Sequence, residues 1–195
     1  MKKKRKIGLF FGSFNPIHIG HLIIANHMLE HTDMDRIWFV VSPSNPLKEK
    51  ESLLDEKQRI YMVKLAIDDN PNFKASDVEF KMPIPSYTVK TLAYLTDKYY
   101  EYEFCLIMGS DNLESFKKWK NYKTILEFYS IYVYTRPNTN IEEWLDYPNI
   151  HIIENVPQMD ISASHIRQLI KNHKPLKYLV PECVEKYIND MLLYL

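Results

Sequence analysis

The sequence predicts a doubly wound α/β fold in which one mostly parallel sheet carries helices on both faces. Short apolar, β-rich runs alternate with stretches of helical periodicity along the chain. This alternation implies crossover connections between parallel strands. The length of 195 residues, with 46% hydrophobic and 26% charged residues, suits a single soluble globular domain with a substantial core.

The predicted elements are assigned in chain order from these two periodicities. Strands are predicted where apolar and β-branched residues run together, at 7–11, 37–41, 104–108, 130–135 and 150–154. Helices are predicted where apolar residues recur every three or four positions, at 19–30, 55–67, 88–98, 122–128, 164–172 and 182–193. Residues 73–74 and 78–80 are expected to add a short extra strand.

The whole chain, 1–195, is expected to form one domain, with 1–6 as a basic flexible flank and 174–195 as a C-terminal helical segment packed on it. The flank precedes only five apolar residues before Gly12, too few for a signal peptide or for a membrane span of about 18 residues. A formal net charge of zero argues against binding along a nucleic-acid backbone. Cys105 and Cys183 resemble small buried hydrophobes, which argues against a disulfide framework and favours a reducing cytoplasm. From the net charge and the lack of a long apolar stretch, we expect neither a nucleic-acid nor a membrane partner.

Polar or turn-forming residues follow each of the five main predicted strands. Ligands of parallel sheets bind beyond the carboxyl ends of the strands, near the point where the strand order reverses. We therefore expect the functional site at that edge of the sheet. The five segments are 12–21, 43–48, 109–112, 136–137 and 157–164.

The most informative of these segments runs from Gly12 to His21 and reads G-S-F-N-P-I-H-I-G-H. It joins a predicted strand to a predicted helix, and a helix N-terminus attracts phosphate through its backbone N–H groups and partial positive charge. Histidines at positions i and i+3, His18 and His21, can face the same phosphate. The alternative is a zinc site, although no nearby Cys, Asp or Glu completes a set of three ligands.

The same residues resemble the (T/S)-F-(D/N)-P-x-H-x-G-H signature of the nucleotidyltransferase superfamily of adenylyl- and cytidylyltransferases. A second segment, I-S-A-S-H-I-R from Ile161 to Arg167, is similar to that superfamily's I-S-x-(S/T)-x-I-R motif. Taken alone, the serines of this segment could simply cap a helix. Together the two motifs imply a Rossmann-like nucleotidyltransferase domain that binds nucleotide phosphates.

Further segments resemble bacterial nicotinate-nucleotide adenylyltransferases in particular, and this likeness extends over nearly the whole chain. Their S-Y-T-x-x-T-L pattern matches residues 86–92, and their G-(A/S)-D-x…W stretch matches 109–112 with Trp119. Their R-P pair matches Arg136 and Pro137, and their Y-L-V-P…V…Y-I terminus matches 178–188. Two departures occur: Asn15 stands where Asp is commoner, and Leu47 stands where the family's P-x-x-x-P-H-K loop has His.

The resemblance implies adenylyl transfer from ATP to nicotinate mononucleotide, with Mg2+ on the ATP phosphates and no metal site of the protein itself. The implied catalytic residues are His18, His21, Lys48 and Arg167. The implied ATP-binding residues are Gly12, Ser13, Phe14, His18, His21, Gly109, Asp111, Ile161, Ser162, Ser164 and Arg167. The implied residues for the mononucleotide are Tyr87, Thr88, Trp119 and Arg136.

Other functions stay open at the level of sequence. An adenylyltransferase that prefers the amidated nicotinamide mononucleotide differs by a single charge on its substrate. Pantetheine-phosphate adenylyltransferases generally have Thr where His18 stands, and cytidylyltransferases carry a different serine-rich C-terminal motif. A nucleotide-binding regulator without catalysis is the alternative from another class. A homo-oligomer is compatible with the sequence.

Overall fold

The computed structural model describes residues 4–43 and 53–195. Within them, six strands form one sheet in the order β3-β2-β1-β4-β5-β6, and every neighbouring pair is parallel. The predicted doubly wound α/β fold is therefore confirmed. The strands are β1 (Arg5–Gly12), β2 (Arg36–Val41), β3 (Phe73–Ser76), β4 (Tyr102–Gly109), β5 (Ile131–Tyr134) and β6 (Ile150–Ile153).

Helices cover both faces of this sheet, because successive residues of each strand point into two different cores. On β1, Phe10 belongs to the first core, while Ile7 and Leu9 belong to the second. The first core packs against α1 (Ile19–His31), α2 (Glu56–Ala66), α6 (Ala163–Lys171) and α7 (Glu182–Asp190). The second packs against α3 (Thr88–Lys98), α4 (Ser110–Phe116) and α5 (Tyr122–Phe128).

The strand order reverses between β1 and β4. The chain builds outward from β1 through β2 to β3, then crosses back to place β4 on the other side of β1. At such a reversal the loops leaving the two central strands diverge, which opens a crevice at their carboxyl ends. The segments that follow β1 and β4 therefore border this crevice from its two sides.

Three boundary predictions are wrong. Residues 78–80 belong to a 3-10 helix, Val78–Lys81, and not to a strand. Residues 109–112, predicted as a loop, are the last residue of β4 and the first turn of α4. Arg5 and Lys6 are not a flexible flank, since β1 begins at Arg5 and the Lys6 ammonium lies 2.6 Å from the Asp33 carboxylate.

The C-terminal segment packs on the first core through α7. The rings of Tyr61 on α2 and Tyr187 on α7 lie 4.7 Å apart. Cys105 is buried as predicted, but Cys183 is exposed, so the prediction that both are buried is wrong for Cys183. In the part of the chain that the structure describes, no helix is both long and apolar enough to cross a membrane.

Candidate active site

A tight turn carries the chain from the end of β1 into α1. Gly12 ends the strand, and an added Cβ there would lie 2.8 Å from the Phe14 ring, so the close packing of this turn requires glycine. Phe14 adopts the left-handed region, with φ of 45°. Its ring is buried in the core, and the neighbouring Asn15 is only 4% exposed. The turn thus packs tightly between the carboxyl end of β1 and the start of α1.

His18 and His21 stack on each other at the start of α1, with ring centroids 3.7 Å apart. The His18 backbone N–H donates to Nδ1 of His21 at 3.2 Å. Because Nδ1 accepts this bond, the neutral His21 ring carries its proton on Nε2. A donor on Nε2 is the form of His21 that can bind an anionic oxygen.

His18 is buried, with 6% of its surface exposed, and burial together with the positive charge of Arg136 lowers its pKa to about 4. The ring is therefore neutral at pH 7. Its Nδ1 has no hydrogen-bond partner within the described part of the protein. A buried polar atom of this kind is costly and concentrates at functional sites. Among residues 4–43 and 53–195, no group of three or more His, Cys, Asp and Glu side chains could hold a metal ion.

The second motif lies directly beside the first. Ile161 borders Gly20, whose added Cβ would be 4.0 Å from the Ile161 Cβ. The Arg167 guanidinium on α6 donates from Nη1 to the Asn15 carbonyl at 2.8 Å and from Nη2 to Ser164 Oγ at 3.2 Å. Ser162 caps α6, since its Oγ accepts the His165 backbone N–H. We call residues 12–21 together with 161–167 the histidine cluster.

At the carboxyl ends of β4 and β5, three residues lie beside one another: Gly109, Asp111 and Arg136. The Arg136 Nε lies 3.2 Å from the Asp111 carboxylate, and its Nη2 donates to the Tyr134 hydroxyl at 3.2 Å. Burial raises the pKa of Tyr134, so its hydroxyl stays protonated. Arg136 is also close enough to His18 to affect its pKa. Asp111, predicted to bind the ATP ribose, and Arg136, predicted to bind the mononucleotide phosphate, thus form an ion pair with each other.

Tyr87, Thr88 and Trp119 form a separate region, which we call the tryptophan cluster. Tyr87 is the N-cap of α3 and Thr88 its first residue. The Lys120 ammonium lies 4.5 Å from the centre of the Tyr87 ring, which joins the two segments. Trp119 is half-buried, with its ring 5.3 Å from that of Phe116. Part of the indole is therefore available to a ligand.

The structure brings together the predicted residues of both motifs, while Lys48 and Leu47 lie outside the described residues. Sequence reasoning missed several buried polar residues that hold these clusters in place. Arg59 and Glu79 are buried in α2 and in the 3-10 helix, and Tyr194 donates to the Asn15 side chain at 3.0 Å. A charged residue inside an amphipathic pattern, such as Arg59 beside Ile60, was the only available signal.

Comparison with known proteins agrees with this geometry. The model of the family described as cytidylyltransferase-like matches residues 9–169, which contain both motifs. The chain therefore belongs to the cytidylyltransferase-like nucleotidyltransferases, and it is an enzyme of that class.

Relatives define the group more narrowly. Proteins named probable nicotinate-nucleotide adenylyltransferase from Flavobacterium psychrophilum and Cytophaga hutchinsonii are 55% and 53% identical, over 97% of this chain and 98% of each relative. The chain belongs to the nicotinate-nucleotide adenylyltransferase family. The fold matches that of Plasmodium falciparum nicotinic acid mononucleotide adenylyltransferase complexed with NaAD, with a TM-score of 0.82, 20% identity and 97% of each chain covered.

Proposed function

We propose that this protein transfers the adenylyl group of ATP to nicotinate mononucleotide, giving nicotinate adenine dinucleotide and pyrophosphate in NAD biosynthesis. The observation that carries the proposal is the contact between the two motifs, in which Arg167 binds the Asn15 carbonyl. This contact gathers two imidazoles, two serine hydroxyls and a guanidinium at one edge of the sheet. The shared name of full-length relatives supports nicotinate mononucleotide as the acceptor.

The proposed reaction is in-line attack of the mononucleotide phosphate on the α-phosphorus of ATP. That phosphate is already anionic near pH 7, so neither a general base nor a covalent intermediate is needed. Catalysis then consists of positioning and of stabilising charge in the phosphoryl-transfer transition state. The donor tautomer of His21 and the neutral His18 ring support this role, because both can bind phosphate oxygens without a proton transfer.

Each cluster has a proposed part in binding. The turn backbone at Gly12, Ser13 and Phe14 holds ATP, and Arg167 with Ser164 binds the departing pyrophosphate. Asp111 accepts hydroxyl hydrogens of the ATP ribose beside Gly109. Ser162 adds a hydroxyl donor while its lone pair caps α6.

The tryptophan cluster is proposed to bind the pyridine ring and its carboxylate. The half-buried Trp119 stacks on the ring, and backbone N–H groups at the start of α3 bind the carboxylate. Arg136 is proposed to bind the mononucleotide phosphate. In doing so it would give up its ion pair with Asp111.

ATP is proposed to enter with Mg2+ on its phosphate oxygens. Mg2+ prefers carboxylate, phosphate and water oxygens. The side chains of the histidine cluster are instead imidazoles, hydroxyls and a guanidinium, which suit phosphate and not the metal. The substrate and water would therefore supply most metal ligands.

The test is a pyrophosphate-release assay on the purified protein with ATP and either mononucleotide. We expect faster turnover with nicotinate mononucleotide than with its amide, and a dinucleotide product detectable by chromatography. Equal or faster turnover with the amide would overturn the proposed acceptor. ATP binding without product from either mononucleotide would instead indicate a regulator.

A further inference from the structure

Arg59 is a buried cation that no sequence motif includes. It lies on α2 with 0% of its surface exposed. Burial lowers its pKa, and the electrostatic effects of Tyr194, Glu56 and Asp55 oppose this shift. Burying a guanidinium is costly unless its donors are all satisfied. The hydrogen bonds of such a residue show which parts of the chain it holds together.

The hydrogen bonds of Arg59 go to backbone carbonyls of three separate segments. Nη1 donates to Ser13 O and to Ser42 O, both at 2.7 Å. Nη2 donates to Pro43 O at 3.0 Å, and Nε donates to Leu54 O at 2.9 Å. A planar guanidinium has five N–H donors in a fixed fork and can span these acceptors, whereas a lysine ammonium has three donors at one point.

These carbonyls belong to loops that leave neighbouring strands. Ser13 follows β1 and Ser42 follows β2, and the Ser42 N–H donates to Gly12 O at 2.9 Å. The guanidinium thus holds the first residues after both strands, Ser13 after β1 and Ser42 with Pro43 after β2. Its bond to Ser13 falls one residue before Phe14, where the backbone turns into the left-handed region.

Asn15 completes the same network from the other side of Leu54. The Leu54 N–H donates to Asn15 Oδ1 at 3.2 Å, while the Leu54 carbonyl is bound by Arg59. The Asn15 carbonyl in turn accepts the bond from Arg167. Arg59, Leu54, Asn15 and Arg167 therefore link α2 to α6 through the turn itself.

We propose that Arg59 is a positioning residue for ATP, which fixes the backbone of the Gly12–Pro16 turn in the conformation that binds the nucleotide phosphates. The proposal rests on the proposed function for the identity of the ligand. It predicts that weakening the hydrogen bonds of Arg59 impairs the binding of ATP more than the binding of nicotinate mononucleotide, because none of these bonds reaches the tryptophan cluster.

The experiment compares Arg59→Lys with the wild-type protein, using Lys57→Met on the exposed side of the same helix as the control. Arg59→Lys keeps the charge but loses the fork, and is expected to raise KM for ATP about tenfold while KM for nicotinate mononucleotide changes less than about twofold. The rise in Tm caused by ATP is expected to shrink in parallel. Lys57→Met is expected to match wild type in all three measurements.

Two outcomes would overturn the proposal. One is an equal rise of both KM values, and the other is a lower Tm with unchanged KM values. Either result is what we expect if Arg59 only stabilises the fold. If Arg59→Lys does not fold, Asn15→Ala tests the same network with Arg59 in place, and an unchanged KM for ATP then contradicts the proposal. The ATP-induced Tm shift is readable even if no dinucleotide forms, so failure of the proposed function is distinguishable.

Discussion

The histidine cluster and the tryptophan cluster are built in different ways. Bonds from three distant segments hold the turn of the histidine cluster, through Arg59, Arg167 and Tyr194. The tryptophan cluster is half-exposed. The segment that carries Tyr87 is held by Glu79, whose carboxylate accepts hydrogen bonds from Ser86 and Thr91 on either side of Tyr87 in the chain.

The difference fits the role that is proposed for each cluster. Charge develops at the phosphates during adenylyl transfer, and donors stabilise it well only if they are held in place beforehand. A stacked aromatic ring tolerates small movements, since its contact is broad and weakly directional. We therefore expect loss of either imidazole of the histidine cluster to lower turnover, loss of a hydrogen bond that holds its turn to raise KM for ATP, and changes in the tryptophan cluster to raise KM for nicotinate mononucleotide.

The largest expected effect is on turnover. His21→Ala removes the Nε2 donor, and His18→Ala removes the neighbouring ring; each is expected to lower kcat about a hundredfold or more. Steady-state rates of purified, folded variants measure this. His27→Ala, on the same helix, is the control and is expected to keep wild-type turnover. A folded His21→Ala protein with near-wild-type turnover would contradict the proposed role.

Burial of neutral His18 predicts a pH dependence of stability. Between pH 6.5 and about 4 the unfolded state binds a proton that the folded state excludes, because burial lowers the pKa of His18 to about 4. The wild-type free energy of unfolding is therefore expected to fall through this window relative to His18→Gln, by about 3 kcal/mol in total. Urea denaturation of both proteins at several pH values measures this difference, which we expect to be constant above pH 7.

If the two stability curves run parallel between pH 7 and pH 4, His18 does not carry this proton linkage. The constant difference above pH 7 gives the packing cost of His18→Gln separately. This control removes the contribution of other titrating groups, which both proteins share.

In the tryptophan cluster, Trp119→Ala is expected to raise KM for nicotinate mononucleotide about tenfold while leaving KM for ATP nearly unchanged. Loss of stacking on an aromatic side chain costs about 1–3 kcal/mol per base. Trp119→Phe keeps an aromatic face and is expected to recover most of the affinity. Initial rates with one substrate varied at a time measure both constants. An equal rise in both would remove Trp119 from the mononucleotide site.

Sequence patterns predicted the sheet and the histidine turn because both depend on local signals. Short continuous apolar runs identify central parallel strands such as β4, which is buried on both faces of the sheet, and glycine and proline favour the turn between Gly12 and Pro16. The pattern failed at residues 78–80, where the apolar Val78 and Phe80 alternate with Glu79 as in a strand, but the backbone forms a 3-10 helix in which Glu79 is the buried residue. Alternation over three residues does not distinguish the two.

The supporting network could not be predicted for a different reason. Arg59 and Tyr194 act on Ser13 and Asn15, which are far away in the chain, and single-sequence patterns carry no information on such contacts. The ion pair between Asp111 and Arg136 is of the same kind, since each residue was assigned a separate substrate contact. Long-range hydrogen bonds become visible only when the fold places their partners together.

The smallest expected effect tests how far this network reaches. Tyr194→Phe removes only the hydroxyl that donates to Asn15 Oδ1 at 3.0 Å and leaves the ring in place. One neutral hydrogen bond contributes about 0.5–1.5 kcal/mol, so KM for ATP is expected to rise about threefold while KM for nicotinate mononucleotide stays constant. Tyr178→Phe, whose ring is 79% exposed, is the control. If the two variants behave alike, the chain end does not contribute to the histidine cluster, and its rigidity comes from Arg59 and Arg167 alone.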